Sequence, residues 1–394
     1  MEWKKTWSYL PIPYNTTIGT LENITQRTYI KNNLSGNRVK VCFSNCYGTE
    51  KLVMEQVVIG KRTGKAEEIT EWKVLTGNGQ ERIVLQPGEE YHSDILDWKI
   101  EAGEEIVVSV FFKEKNNVQS ACSNWSARRW HTEYQVGGNH CKESFATAKE
   151  SREVFPYVEA DVNKAHVCVG ISQIWIETEE RVNTIALFGD SITHMSYYND
   201  GLSEMMFDKY PGKITFLNCG IGGNRVLYDA SYVPDMPGEG KCFGEAAVKR
   251  FRRDVLQDGA PEVILILEGV NDLMHPYVFA RPEEIVTAEE LIAGLMQIAE
   301  EGKKSGARVY MGTIMPFGAM EIEWLDKADA VRQQVNEWIR SQSITDGVID
   351  FDKVIQSDTD KKYMKQEYHI GDGLHPNTEG GICMATLVMQ ANII

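Results

Sequence analysis

Five short apolar runs, TIALFGD, KITFLNCG, EVILILEG, ARVYMGTIMPF and GVIDFD, follow one another through the second half of this chain. Patterns with helical spacing lie between or after them, at Gly244–Leu256, Ala288–Lys304, Lys327–Arg340 and Thr378–Gln390. A short, continuous apolar run bounded by turn signals reads as a strand buried on both faces. Such strands alternating with amphipathic helices build a parallel sheet with helices on both sides.

This grammar starts only near residue 182. Before it come short alternating or apolar runs such as RVKVCFSN, ERIVLQP and EEIVVSVFF, broken by GNGQ, QPGEE and EAGEE. Strands at roughly 8–15 residue spacing, with no long helical pattern, predict an all-β sandwich. The charged stretch ETEERVN at 177–183 has no apolar pattern and reads as a link. The chain is therefore expected to hold an N-terminal domain at 1–178 and a second domain at 183–394.

Ligands of open parallel sheets bind where strands end and loops begin. The first apolar run ends on Gly189-Asp190-Ser191, and the second on Gly220-Ile221-Gly222-Gly223-Asn224-Arg225. The third ends on Gly269-Val270-Asn271-Asp272, and a loop beyond the fifth carries GDGLHPN, with Asp372 and His375. A serine hydroxyl needs a base to remove its proton during attack, and histidine titrates in the right range. A carboxylate on the other ring nitrogen fixes the tautomer. Asp372 and His375, three residues apart across Gly373, can share one side of a tight turn. The oxyanion needs donors, which Gly223 N–H, the Asn271 amide and Ser191 N–H can provide.

The blocks FGDSIT, NCGIGGN, EGVND and DGLHPN, in that order, resemble those of the SGNH (GDSL) hydrolase superfamily. The resemblance implies a flavodoxin-like three-layer α/β/α catalytic domain with a five-stranded parallel sheet. It implies nucleophile Ser191, base His375 with partner Asp372, and oxyanion donors Ser191, Gly223 and Asn271. FGEAAVKRFRRDVL, MGTIMPFG and VRQQVNEWIRS extend the likeness, and NRVKVCFSNCYGTEKLVMEQVVIG and YHSDILDW resemble parts of the N-terminal β-sandwich found in one subgroup. That sandwich is expected to be jelly-roll-like.

Other site types fit less well. GIGGNR has Arg225 where a dinucleotide fingerprint needs its third glycine, and Ser191 is followed at +2 by Thr193 rather than glycine. In DMPGEGK the first glycine of a phosphate-binding loop is Asp235. Cys42 and Cys46 lack a second pair at zinc spacing, so no metal and no cofactor are expected.

The expected activity is that of a serine esterase on short acyl groups, acetyl above all, carried by a sugar or oligosaccharide. Alternatives are a lipid or lysophospholipid acylhydrolase, or a carbohydrate-binding protein whose hydrolase half is vestigial. His194 and His275, close to the blocks, are candidates for lining the substrate pocket. Trp130, in the aromatic and basic segment NWSARRWHTEY, is a candidate sugar-stacking residue. A net charge of −16 argues against nucleic acid or an anionic membrane as partner. The N-terminal residues lack the apolar core of a signal peptide and the eight cysteines are scattered, which predicts a cytoplasmic protein with reduced thiols.

Overall fold

A computed structural model describes residues 1–62, 68–156, 165–231, 237–278, 280–318 and 323–394. The chain divides into two compact units, residues 1–182 with 206–217, and residues 183–205 with 218–394. No helix among the described residues is long and apolar enough to cross a membrane.

The N-terminal unit is built from antiparallel strands. One sheet runs Lys149–Glu150, Trp130–Val136, Ile24–Lys31, Glu105–Phe112, Gln56–Arg62 and Thr70–Leu75 in spatial order. Its central strand, EIVVSVFF, pairs on both sides, and every residue after Glu105 is buried, which is why it reads as a continuous apolar run. A second sheet places Ile171–Thr178 between Glu2–Ser8 and Gly36–Ser44, and the last of these also pairs with Glu90–His92 and Leu96–Ile100.

The sheet that positions the site lies in the second unit, apart from residues 214–217 of its edge strand, which belong to the first. Its strands are β1 (Asn183–Gly189), β2 (Ile214–Gly220), β3 (Val263–Leu267), β4 (Arg308–Gly312) and β5 (Gly347–Ile349). They lie in the order β2-β1-β3-β4-β5, and the β1/β3, β3/β4 and β4/β5 ladders are parallel. This is the flavodoxin-like order, in which the connections reverse direction between β1 and β3 and leave a crevice at their carboxyl ends. All five residues of β3, VILIL, are buried, as a strand covered on both faces requires.

Helices α1 (Ser191–His194) and α2 (Tyr197–Lys209) follow β1, and α3 (Ala247–Leu256) precedes β3. Then come α4 (Val270–Val278), α5 (Ala288–Lys304), α6 (Leu325–Ser341), α7 (Phe351–Ile355) and α8 (Thr378–Gln390). The sequence pattern identifies α3, α5, α6 and α8 but passes over α2. Residues 197–203 of α2 are all buried, so its first two turns have no polar face to create a helical period.

Candidate active site

Ser191 opens α1 directly after β1. The side chain of Asp190 accepts a hydrogen bond from Ile192 N–H at 2.9 Å, capping the helix and turning the chain sharply off the strand. Burial raises the pKa of Asp190, while that bond and the charges of His375 and Arg250 pull it down. No hydrogen bond to Ser191 N–H is present among the described residues, as befits a first-turn amide.

Asp372 and His375 belong to one turn. Ile370 N–H donates to His375 O at 3.0 Å, Asn377 N–H donates to Tyr368 O at 2.9 Å, and His369 bridges Pro376. Inside it, Asp372 Oδ1 accepts from Leu374 N–H at 3.0 Å and His375 N–H at 2.9 Å. Asp372 Oδ2 lies 2.6 Å from His375 Nδ1, and His375 Nε2 lies 2.7 Å from Ser191 Oγ. Burial works to raise the pKa of Asp372, but the bonds and charge of His375 and the two backbone amides prevail and hold it at about 2. A carboxylate there accepts a hydrogen bond from Nδ1–H, which leaves the Nε2 lone pair facing the serine hydroxyl.

The turn after β2 lies beside the serine. A Cβ on Gly222 would stand 3.9 Å from Ser191 Cβ and 3.4 Å from His194 Nδ1. Gly223 has φ +72°, and a Cβ there would collide with the Phe243 ring, so both backbone and space demand glycine. Its N–H has no partner among the described residues and is free to donate. Asn271, at the start of α4, spends one amide hydrogen on Asn224 O at 2.9 Å and keeps the other.

The sequence patterns assign no role to Asn224 or Asp272. Asn224 Nδ2 donates to Phe243 O and Glu245 O at 2.7 and 2.8 Å. Asp272 accepts from Val226 and Leu227 N–H at 2.7 and 3.1 Å. Together with Asn271 they fix the glycine turn from two sides. Burial carries the pKa of Asp272 to about 6, against the pull of those two amides. The signal in the sequence was the acid directly after Asn271, at a strand end otherwise built of apolar residues.

Three candidate substrate contacts turn out to be internal. His194 is 4 % exposed, and its Nδ1 accepts from Gly222 N–H at 3.2 Å, so it supports the turn. His275 is buried with its ring 5.1 Å from that of Phe243; burial, helped by the charge of Arg225, lowers its pKa to about 3 and keeps it neutral. Trp130 is 1 % exposed and meets Trp7 and Tyr9 edge-on at 5.5 and 5.2 Å, so it is a core residue of the N-terminal unit. Its strand alternates, with Trp130, Thr132 and Tyr134 inward and His131 and Glu133 partly exposed.

Residues 187–381 match the model of the GDSL-like lipase/acylhydrolase family. No curated protein matches the chain. Solved structures similar to it include a GDSL-like lipase from Bacteroides thetaiotaomicron, 17 % identical, covering 53 % of this chain and 87 % of that one at TM-score 0.39. A catalytic mutant of Axe2, an acetylxylan esterase from Geobacillus stearothermophilus, is 19 % identical, covering 54 % of this chain and 95 % of that one at TM-score 0.39.

Proposed function

Given that residues 187–381 are a GDSL-like lipase/acylhydrolase domain, we propose that this esterase cleaves short acyl esters, chiefly acetyl esters of sugars or oligosaccharides, through an acyl-enzyme on Ser191. The observation that carries the mechanism is the continuous chain Asp372–His375–Ser191, with contacts of 2.6 and 2.7 Å, beside the Gly223 turn. The short acyl group and the sugar rest on the sequence resemblance to members with an N-terminal β-sandwich.

In this reading His375 removes the proton from Ser191 Oγ as it attacks the ester carbonyl. The negative charge that forms on the carbonyl oxygen is met by Ser191 N–H, Gly223 N–H and the remaining Asn271 amide hydrogen. His375 then passes its proton to the leaving alcohol. Water, deprotonated by the same imidazole, releases the acid and restores the serine.

The test is hydrolysis of 4-nitrophenyl acetate, butyrate and octanoate by wild type and Ser191→Ala, followed by acetate release from acetylated xylo- and manno-oligosaccharides. The alanine variant is expected to lose at least ~10³-fold in kcat. A rate that climbs with acyl length would replace the sugar-ester reading with lipid hydrolysis, and saturable sugar binding without turnover would favour a binding protein.

A further inference from the structure

The structure assigns Arg250, on α3, as the positioning residue that sets the oxyanion donors against Ser191; this rests on the esterase reading above. Arg250 is fully buried. A guanidinium has five N–H donors in a rigid fork, and here all five have acceptors. Nε donates to Asn224 Oδ1 at 2.8 Å. Nη1 donates to Cys219 O at 2.9 Å and Asp254 Oδ2 at 3.0 Å. Nη2 donates to Gly189 O at 2.9 Å and Glu268 Oε1 at 3.1 Å. The guanidinium carbon also sits 4.2 Å from the centre of the Phe188 ring.

These acceptors are spread across the whole site. Gly189 ends β1, two residues before the nucleophile. Cys219 is the second-to-last residue of β2, and Asn224 directly follows Gly223. Glu268 follows β3, three residues before Asn271. The same Asn224 whose side chain meets Arg250 gives its carbonyl to Asn271. One planar, rigid group thus fixes the relative placement of three blocks that the chain brings together from far apart, and touches no reacting atom. On α3 the buried residues are Ala247, Arg250, Phe251 and Val255, so the arginine occupies the apolar stripe itself. A helix that only needed to cover the sheet would carry an aliphatic side chain there.

Lysine cannot replace this fork, since it has three donors on a flexible stem and no plane to lie on Phe188. The experiment uses the full chain with 4-nitrophenyl acetate and compares wild type, Arg250→Lys, Asn271→Ala and the double variant. Competent sites in each preparation are counted by stoichiometric labelling with a fluorophosphonate. Arg250→Lys is expected to lower kcat per labelled site by about 10–10²-fold, with KM changed less than about threefold, the scale for misplaced oxyanion donors. In the Asn271→Ala background the same substitution is expected to cost less than it does in wild type, because one of the donors it places is already gone.

Two results overturn the assignment. One is a wild-type kcat per labelled site, with activity falling only as the number of sites falls; that is a purely structural arginine. The other is two losses that simply multiply. Should Arg250→Lys fail to fold, Asn224→Ala, which removes the guanidinium's bond to the Asn224 side chain together with that side chain's bonds to Phe243 O and Glu245 O, is read against the same criteria. A Ser191→Ala variant as active as wild type would instead sink the esterase reading and this inference with it, whereas an inert Ser191→Ala beside a fully active Arg250→Lys sinks the positioning role only.

Discussion

Ser191 Oγ and His375 Nε2, 184 residues apart in the chain, lie 2.7 Å apart in the fold. The contact exists because β1 delivers the serine to the crevice and a single turn before α8 delivers the imidazole. The turn also carries Asp372, whose only side-chain hydrogen-bond partner among the described residues is His375 Nδ1.

Asp372→Asn is therefore expected to keep the turn but present the wrong hydrogen to Nδ1. Loss of about 10²–10⁴-fold in kcat, with little change in KM, is expected from the lost tautomer control. Steady-state kinetics on 4-nitrophenyl acetate check it, and a variant within tenfold of wild type would remove Asp372 from the mechanism.

The depressed pKa of Asp372, about 2, predicts the shape of the acid limb. Its ionised form is the one stabilised in the fold, so that contribution is complete above the ordinary carboxylate value of ~3.9 and is lost only as pH falls towards 2. Asp372 therefore stays ionised from pH 7 down to about pH 4 and adds no proton to the acid limb there. Its side-chain carboxyl, followed by carbon NMR, should titrate below about pH 4, and a midpoint above that would contradict the assignment.

Asp272 runs the opposite way. Its folded pKa, about 6, exceeds the unfolded value, so the unfolded chain sheds this proton first and stability drops as pH rises from about 4 to about 6. Asp272→Asn abolishes that dependence while costing roughly 1–3 kcal/mol for an amide N–H left facing an NH₂ group. Urea unfolding at pH 4.5 and pH 7 reads both effects. Wild type and variant curves separated by the same amount at both pH values would disprove the titration.

Gly223→Ala meets two penalties. A left-handed backbone costs about 1–2 kcal/mol for a residue with a Cβ, and the methyl collides with Phe243. A lower urea midpoint and a reduced kcat are expected together. Phe243→Leu added to it should relieve the collision but not the backbone cost. An unchanged kcat in the single variant would show that this turn does not hold an oxyanion donor.

Trp130→Ala tests whether this ring serves the core of the N-terminal unit. As a buried ring it should cost about 3–5 kcal/mol of stability when truncated, with KM for a small ester unchanged. The reverse outcome, a raised KM at wild-type stability, would return Trp130 to the substrate surface.

What the sequence discloses depends on the range over which each signal acts. β1 and β3 are legible because full burial leaves unbroken apolar runs, and Asp372–His375 because three residues define the whole pair. The helix at Tyr197–Lys209 escapes notice because burial on every side erases its period. Trp130 reads as a sugar-stacking residue from its aromatic and basic neighbours, whereas the alternation in WHTEYQV turns it inward. Arg250 is silent because its meaning lies in five acceptors from four separate stretches of chain. Only the breach of an apolar stripe by a charge marks it.

The compactness of the Asp372–His375 turn bears on how the site comes into being. The base meets its carboxylate within a loop of three residues, an event whose entropic cost is small and independent of the rest of the fold. Only the serine has to arrive from a distance. Assembly of the triad is thus one long-range closure rather than two, and a chain reopened elsewhere on its surface would keep the imidazole already tuned and waiting.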